Sequence, residues 1–299
     1  MQAFAPGIYP RSEALVQATR DLDRGRTTAE AVDAQFEHDL DELVRVQQEA
    51  GLDLVADGML RWQDLFRPLL EASDGLEPGP LTRFLDTNSF YRAPTATSPE
   101  PRLRAPRDER YVAPLPGPRI VTLPSPYALA HGRGIPAKVV ATGVLKPQLD
   151  ALDAELVVLS EPFLAREGAG GLEELREALE ALAGGPPLAL QITFGDAREL
   201  LENGLAELPV EGIGVDFYAT HAADIPDGLD KLLLAGVVDA RSSALEEPEE
   251  IAGFVERLGV ERIALVPNGD LQYVSEPIAR QKLARLGAAR TARAKETAA

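Results

Sequence analysis

Residues 188–197, LALQITFGDA, run from an apolar, strand-like stretch into a turn that carries Gln191, Thr193 and Asp196. In α/β folds reactive side chains gather where strands end. Gln191 and Thr193 can hold a ligand by hydrogen bonds, and Asp196 can accept a donor or a proton. Other apolar runs end in the same manner. Their ends supply Gly7, Tyr9 and Arg11; Asp57, Arg61 and Trp62; Ser125 and Tyr127; Ser160 and Glu161; Asp216 and Tyr218; Asp239 and Arg241; and Asn268 and Asp270.

Three kinds of chemistry suit such a ring. Carboxylates at these turns cap the following helices, each worth about 1 kcal/mol, and pair with arginine. As a polar pocket, Arg11, Arg61 and Arg241 would take carboxylates, while Asp and Glu would take amines or the donor edge of a pterin-like ring. As a hard-cation site the oxygens would suit Mg²⁺ or Ca²⁺, although no DxDxDG-type loop occurs. Asp216, Glu161 and Asp196 are the candidate acid–base groups. Tyr9, Arg11, Asp57, Arg61, Trp62, Ser125, Gln191, Thr193, Asp239, Arg241 and Asn268 are the candidate ligand contacts. Trp62 reads either as a stacking platform or as a core anchor. His221 reads as a solvated turn residue or as an acid or base. There is no Ser–His–Asp order and no P-loop, and GAGG at 168–171 is too short for a phosphate cradle.

The chain has 299 residues, 45% of them hydrophobic and 26% charged, as in ordinary globular proteins. It has no cysteine, which removes disulfides, thiolate nucleophiles and thiolate metal sites together. Three histidines, His38, His131 and His221, leave little for a multi-histidine metal site. A net charge of −18 argues against nucleic acid as a partner. No apolar run nears the roughly 20 residues of a membrane helix. The opening MQAFAPGIYPRSEAL lacks the basic-then-apolar pattern of a secretory signal, so a cytoplasmic protein is expected.

The elements that must position the ring recur along the chain as a short apolar run, a turn, then an amphipathic segment. FAPGIYP (4–10) precedes a long helix over 29–50, and LDLVADG (52–58) precedes MLRWQDLFRPLLEA. RIVTLPSP (119–126), AELVVLSEP (154–162), LALQITFGD, GIGVDFYAT (212–220), KLLLAGVVDAR (231–241) and RIALVPNGD (262–270) follow. Leu172, Leu175, Leu179 and Leu182 share one helical face. Eight such units predict a single (β/α)8 TIM barrel over 1–299, with a doubly wound open sheet as the alternative. The proline- and arginine-rich interval 75–118 breaks the rhythm after strand two. A helix-free loop of this length is either a plain solvent-exposed excursion or, as its aromatics favour, a lid, a binding arm or an interface to a partner or second copy.

Several of these stretches together resemble the cobalamin-independent methionine synthase superfamily. PGIYPRSEAL is similar to its G-S-[YF]-P-R start, and QQEAGLDLVADGMLRWQDLF to its D-G-E-x-x-R-x-D block. LVVLSEPFL is similar to its I-D-E-P-x-L strand, LLLAGVVDARSSALEEPEEI to its G-V-V-D-x-R block, and ALVPNGDLQYV to its P-[DS]-C-G-L segment. The resemblance implies a single barrel of the C-terminal or archaeal type, in a family of methyltransferases of methionine biosynthesis and one-carbon metabolism. There, zinc activates the thiol of homocysteine for methyl transfer from a folate. Where the family has H-x-C this chain has Gln191 and Thr193, Asp216 falls where a glutamate ligand is expected, and Gly269 lies near the last cysteine. Met59 replaces the glutamate of D-G-E, and Ser160 the aspartate of I-D-E-P, although Glu161 remains. An amine stripped of both carboxylates on burial costs several kcal/mol. ITFGDA and AGVVDARSSAL look more like the zinc-free N-terminal barrel of two-barrel synthases. The expectation is therefore a barrel without zinc that binds a folate-type methyl donor or related small metabolite. The alternative is a non-catalytic ligand-binding or partner subunit. A decarboxylase of the uroporphyrinogen type would need more arginines at the strand ends.

Overall fold

The computed structural model describes residues 1–109, 111–132 and 134–296, with side chains to residue 292. Its strands are β1 (Gln2–Ala3), β2 (Ser73–Asp74), β3 (Leu76–Arg83), β4 (Phe90–Ala96), β5 (Arg102–Leu103), β6 (Ile120–Pro124), β7 (Leu156–Glu161), β8 (Leu188–Ile192), β9 (Gly212–Asp216), β10 (Leu232–Val238) and β11 (Ile263–Pro267). Seven of them form one parallel sheet in the order β1-β11-β10-β9-β8-β7-β6. Strands covered on both faces need apolar residues at every position, which explains their lack of polar alternation.

The two faces carry different cores. Phe4, Leu54, Ala56, Ile120, Leu156, Val158, Ala189, Leu234, Ala264 and Val266 pack together on the inner face. The intervening residues, such as Val157, Leu159, Leu190, Val215 and Leu265, pack outward with the helices. The helices Ala29–Glu49 and Leu172–Glu180 match expectation, and Pro248–Leu258 and Glu276–Glu296 follow β10 and β11. Ser12 and Thr28 cap two helix starts by accepting from Leu15 N and Ala31 N.

Four expectations are corrected. The first strand is Gln2–Ala3, not residues 4–10. The helix expected after residue 58 shrinks to Arg67–Glu71, because Pro68 fits only a first turn. A helical stretch over 137–150 went unrecognised; it contains a wide i→i+5 turn over Ala141–Leu145, just ahead of Pro147.

The fourth concerns residues 52–58, which make a single strand-like bridge, Val55 to Arg119, instead of a ladder. Asp53 N donates to Ala3 O (2.9 Å), and Ile120 N to Val55 O (2.9 Å). One irregular segment thus touches both edges of the sheet, which curls to meet it. At Ala56 both backbone groups are satisfied by a side chain. Gln47, buried on the long helix, donates to Ala56 O (2.8 Å) and accepts from Ala56 N (2.9 Å).

The interval 75–118 is not a bare loop. β3 and β4 form an antiparallel hairpin with a register shift between Pro78 and Leu81, and β2 pairs with β5. Phe84, Tyr91, Ala93, Val112 and Ala113 are buried; Arg110 lies outside the described residues. No helix among the described residues is long and apolar enough to cross a membrane.

Gln47→Ala leaves two buried backbone groups at Ala56 without partners. It should lower unfolding free energy by about 2–4 kcal/mol, read by urea denaturation, with an unchanged m-value.

Candidate functional site

Side chains alternate along a strand, so the inner face of Leu156 and Val158 continues to Ser160. By the same count Thr122 (β6), Gln191 (β8), Asp216 (β9) and Asn268, just after β11, share that inner face towards the C-terminal strand ends. A polar layer therefore lies on the apolar inner core, at the C-terminal ends of the strands. All five residues are buried. Glycine at 214 makes room for Gln191: a Cβ there would lie 2.9 Å from Gln191 Cγ.

Within this layer Asn268 is the organiser. Its Oδ1 accepts from Ala240 N (2.9 Å), and its Nδ2 donates to Asp216 Oδ1 (3.0 Å). Tyr218 N also donates to Asp216 Oδ1 (2.9 Å). Asp216 Oδ2 is buried and finds no hydrogen-bond partner among the described residues. Burial pushes this carboxyl above the usual aspartate range, against the pull of Asn268 and Tyr218 N. Gln191 donates to Pro267 O (2.8 Å).

The other candidates divide by what already occupies them. Glu161 is fully buried and saturated: Ser125 Oγ, Phe163 N (2.8 Å) and Leu164 N (3.1 Å) all donate to it. Burial raises its carboxyl too. Ser125 also caps Pro126–Ala130 through Ala128 N. Asp57 accepts from Met59 N (2.9 Å) and Ala113 N (3.2 Å), again with its carboxyl raised by burial. Thr193 is buried after β8. Asp239 accepts from Arg241 N (3.0 Å).

Several candidates do not join the layer. Asp196 is exposed and closes its own turn by accepting from Arg198 N (2.9 Å). Arg61 turns to the long helix, pairing with Asp33 over the Phe36 ring. Arg11 donates to Leu60 O (2.8 Å) and Trp62 O (3.2 Å). Trp62 is buried, with its indole N–H on Tyr111 O (2.8 Å), so it offers no open ring face. Tyr9 is buried, and desolvation raises its hydroxyl. His221 caps a short turn through Ala223 N (3.1 Å).

Sequence reasoning missed what covers the layer. Phe194 adopts a left-handed φ of +55° and lies against Gly269, where a Cβ would sit 2.2 Å from its ring. Tyr273 packs edge-on to Phe194 (5.4 Å) and stacks with Phe84 of the hairpin (6.2 Å). The hairpin turn places Asp86 between Arg166 (3.0 Å) and Arg241 (3.2 Å). Aromatic content in 75–118 was the signal available; the direction in which the hairpin folds was not. Buried Lys282, paired with Glu246 (2.9 Å), was also missed.

The residues at the positions that the resemblance assigns to zinc do not fit a thiolate centre. Gln191 has its amide engaged, Thr193 is a neutral hydroxyl and Gly269 has no side chain. Among the described residues no three of His, Cys, Asp and Glu group as a metal ion requires.

The chain is similar to known proteins over part of its sequence and over its whole fold. Residues 140–261 match a family model described as "Cobalamin-independent synthase, N-terminal domain". The 5-methyltetrahydropteroyltriglutamate–homocysteine methyltransferase of Mycobacterium tuberculosis (strain ATCC 25618 / H37Rv) is 29% identical over 210 residues, 63% of this chain and 27% of that protein. The enzyme of the same name from Streptococcus sanguinis (strain SK36) is 29% identical over 148 residues, covering 47% and 20%. The chain thus spans about a quarter of the length of these curated relatives.

Solved structures show the same fold end to end. A B12-independent methionine synthase from Shewanella sp. W3-18-1, in complex with selenomethionine, superposes with TM-score 0.79 at 16% identity, covering 100% of this chain and 99% of that one. A putative vitamin-B12 independent methionine synthase from Listeria monocytogenes gives 0.73 at 16%, covering 97% of each. Part of the chain, residues 140–261, is thus similar to cobalamin-independent methionine synthases in sequence, and the whole chain shares their fold. Its matched stretch carries ITFGDA and AGVVDARSSAL, the segments that resemble the N-terminal barrel.

Asp270 offers a test of this buried chemistry. It accepts from Ile8 N (3.0 Å) and Gln272 Nε2 (3.3 Å), and burial pushes its carboxyl up to about 6. The unfolded value is near 4, so the folded protein binds this proton more tightly. The stability Asp270 adds in its protonated form should be lost as pH rises from about 4 to about 6, roughly 3 kcal/mol in all. The stability difference between wild type and Asp270→Asn, followed by denaturation against pH, should carry that slope.

Proposed function

We propose that the chain is a methionine-synthase-like (β/α)8 barrel, with residues 52–58 as its eighth stave. It binds a small metabolite of one-carbon metabolism at the polar layer and works without zinc activation of a thiol. The supporting observation is Asp216: one carboxylate oxygen is fixed by Asn268 and Tyr218 N, while the other is buried without a partner. A buried acceptor left unpaired costs about 1–3 kcal/mol, which a ligand N–H or ammonium recovers on binding. Burial favours the protonated carboxyl. Asp216 is therefore suited to give a proton to a leaving nitrogen in methyl transfer, with positioning supplying the rest. A folate-type methyl donor is the first candidate, by analogy with the relatives' names.

A second reading is a non-catalytic barrel, favoured by the packing of Phe194 and Phe84 over the layer. In that case the hairpin meets a partner or second copy through Leu81 and Phe90, which are exposed on its strands.

Calorimetric titration with 5-methyltetrahydrofolate, homocysteine and methionine should find one that binds. Asp216→Ala should weaken it at least about tenfold, the loss of a charge-assisted contact, and abolish any methyl transfer. Binding equal to wild type would refute the anchor, and stoichiometric zinc in the purified protein would refute the metal-free chemistry. Binding that depends on Asp216 without turnover would favour the second reading. Light scattering on Leu81→Lys/Phe90→Lys then tests the interface: an oligomer should fall to monomer.

A further inference from the structure

We propose that Arg166 and Arg241 form a carboxylate-binding clamp over the polar layer, occupied in the closed state by Asp86 of the hairpin. A carboxylate-bearing ligand takes the clamp over when Asp86 swings out of it. This deepens the reading of the layer as a ligand site and rests on it.

Arg166 follows β7 and Arg241 follows β10, so the two arise from strands separated in the sheet by β8 and β9. Their guanidinium groups nevertheless meet on a single oxygen, Asp86 Oδ1, at 3.0 and 3.2 Å. Two cations brought together this closely repel unless an anion lies between them. Guanidinium groups recognise carboxylates by charge and by directed N–H donors. Arg241 is also steadied over the Phe194 ring at 4.8 Å.

Asp86 is a replaceable occupant. Its turn is held by its own bonds, Phe84 N to Ser89 O (2.9 Å) and Thr87 N to Phe84 O (3.1 Å), which do not involve the arginines. Its side chain is 62% exposed, and those of Arg166 and Arg241 are 42% and 34% exposed. Ion pairs in such contact with water are weak and exchange readily. A ligand with a free carboxylate can therefore compete for the same two cations. Asp216, whose carboxyl feels the charge of Arg241, keeps its second oxygen for a donor on that ligand.

Glutarate serves as the probe, titrated at constant ionic strength into wild type, Asp86→Asn and the Arg166→Gln/Arg241→Gln double variant. Asp86→Asn should bind glutarate about three- to tenfold tighter than wild type, because the closed state no longer competes. The double variant should show no binding, and adding Asp86→Asn to it should restore none. Hydrogen exchange on wild type gives a readout independent of any substitution: glutarate should speed exchange at residues 84–90. Equal affinity in wild type and Asp86→Asn overturns the clamp, as does slowed or unchanged exchange. An equal gain with inorganic phosphate overturns its assignment to carboxylates. Asp216 enters none of these readouts, so failure here and failure of the Asp216 titration are separable.

Discussion

Desolvation of carboxylates is the constraint on which the upper half of this fold depends. Glu161, Asp216 and Asp270 stand at strand ends with almost no access to water, and none has a salt-bridge partner among the described residues. A buried charge left alone costs several kcal/mol, so each carboxylate dictates the backbone around it. Glu161 draws in the N–H groups of Phe163 and Leu164 and so starts the helix that carries Arg166. Asp270 takes Ile8 N, which fixes the chain after β1 against the chain after β11. Gly7 follows from this: at φ +89° it sits where a Cβ would lie 2.3 Å from Asp270 Oδ1. Asp216 differs, since its bonds satisfy one oxygen and leave the other bare.

Strand ends were legible wherever the backbone makes an ordinary ladder. The apolar runs of β7 to β11 end in polar residues, and period-two counting then brings Asp216, Gln191 and Asn268 to one face. The segment 52–58 was illegible in detail because its bonds go elsewhere. Ala56 is paired with the Gln47 side chain, and Asp53 Oδ2 accepts from Ala3 N (2.8 Å). No local pattern announces a helix side chain reaching nine residues ahead to pair the backbone of Ala56.

The arginines show a different limit. Arg61 and Arg241 look alike as cations after strands, yet only their partners decide their use. Asp33, on the long helix, claims Arg61. Asp86 claims Arg241 from 155 residues away, across a hairpin whose strands contain Pro78, Gly79 and Pro80. Those residues disfavour a regular strand, and the hairpin is held by Phe84, Tyr91, Phe66 and Phe163 packing ring on ring. Long-range aromatic contact overrides local propensity there, which single-sequence patterns do not record.

The departure from a thiolate centre is built into packing as well as composition. Phe194 holds a left-handed backbone conformation, a strain of order 1 kcal/mol for a residue with a Cβ. It is offset by burial of the ring against Tyr273, Arg241 and the bare backbone of Gly269. Gly269 lies near the position where the family resemblance expects the last cysteine, and the ring of Phe194 occupies the space a Cβ would need. A cysteine placed at 269 would meet that ring at 2.2 Å before its sulfur could face the polar layer. Accommodating it means moving Phe194, and moving Phe194 removes the platform under Arg241 and the edge contact to Tyr273. The glycine, the strained phenylalanine and the arginine are therefore one coupled arrangement, in which a hydrogen-bonding layer under an aromatic cover replaces side chains able to bind a soft metal.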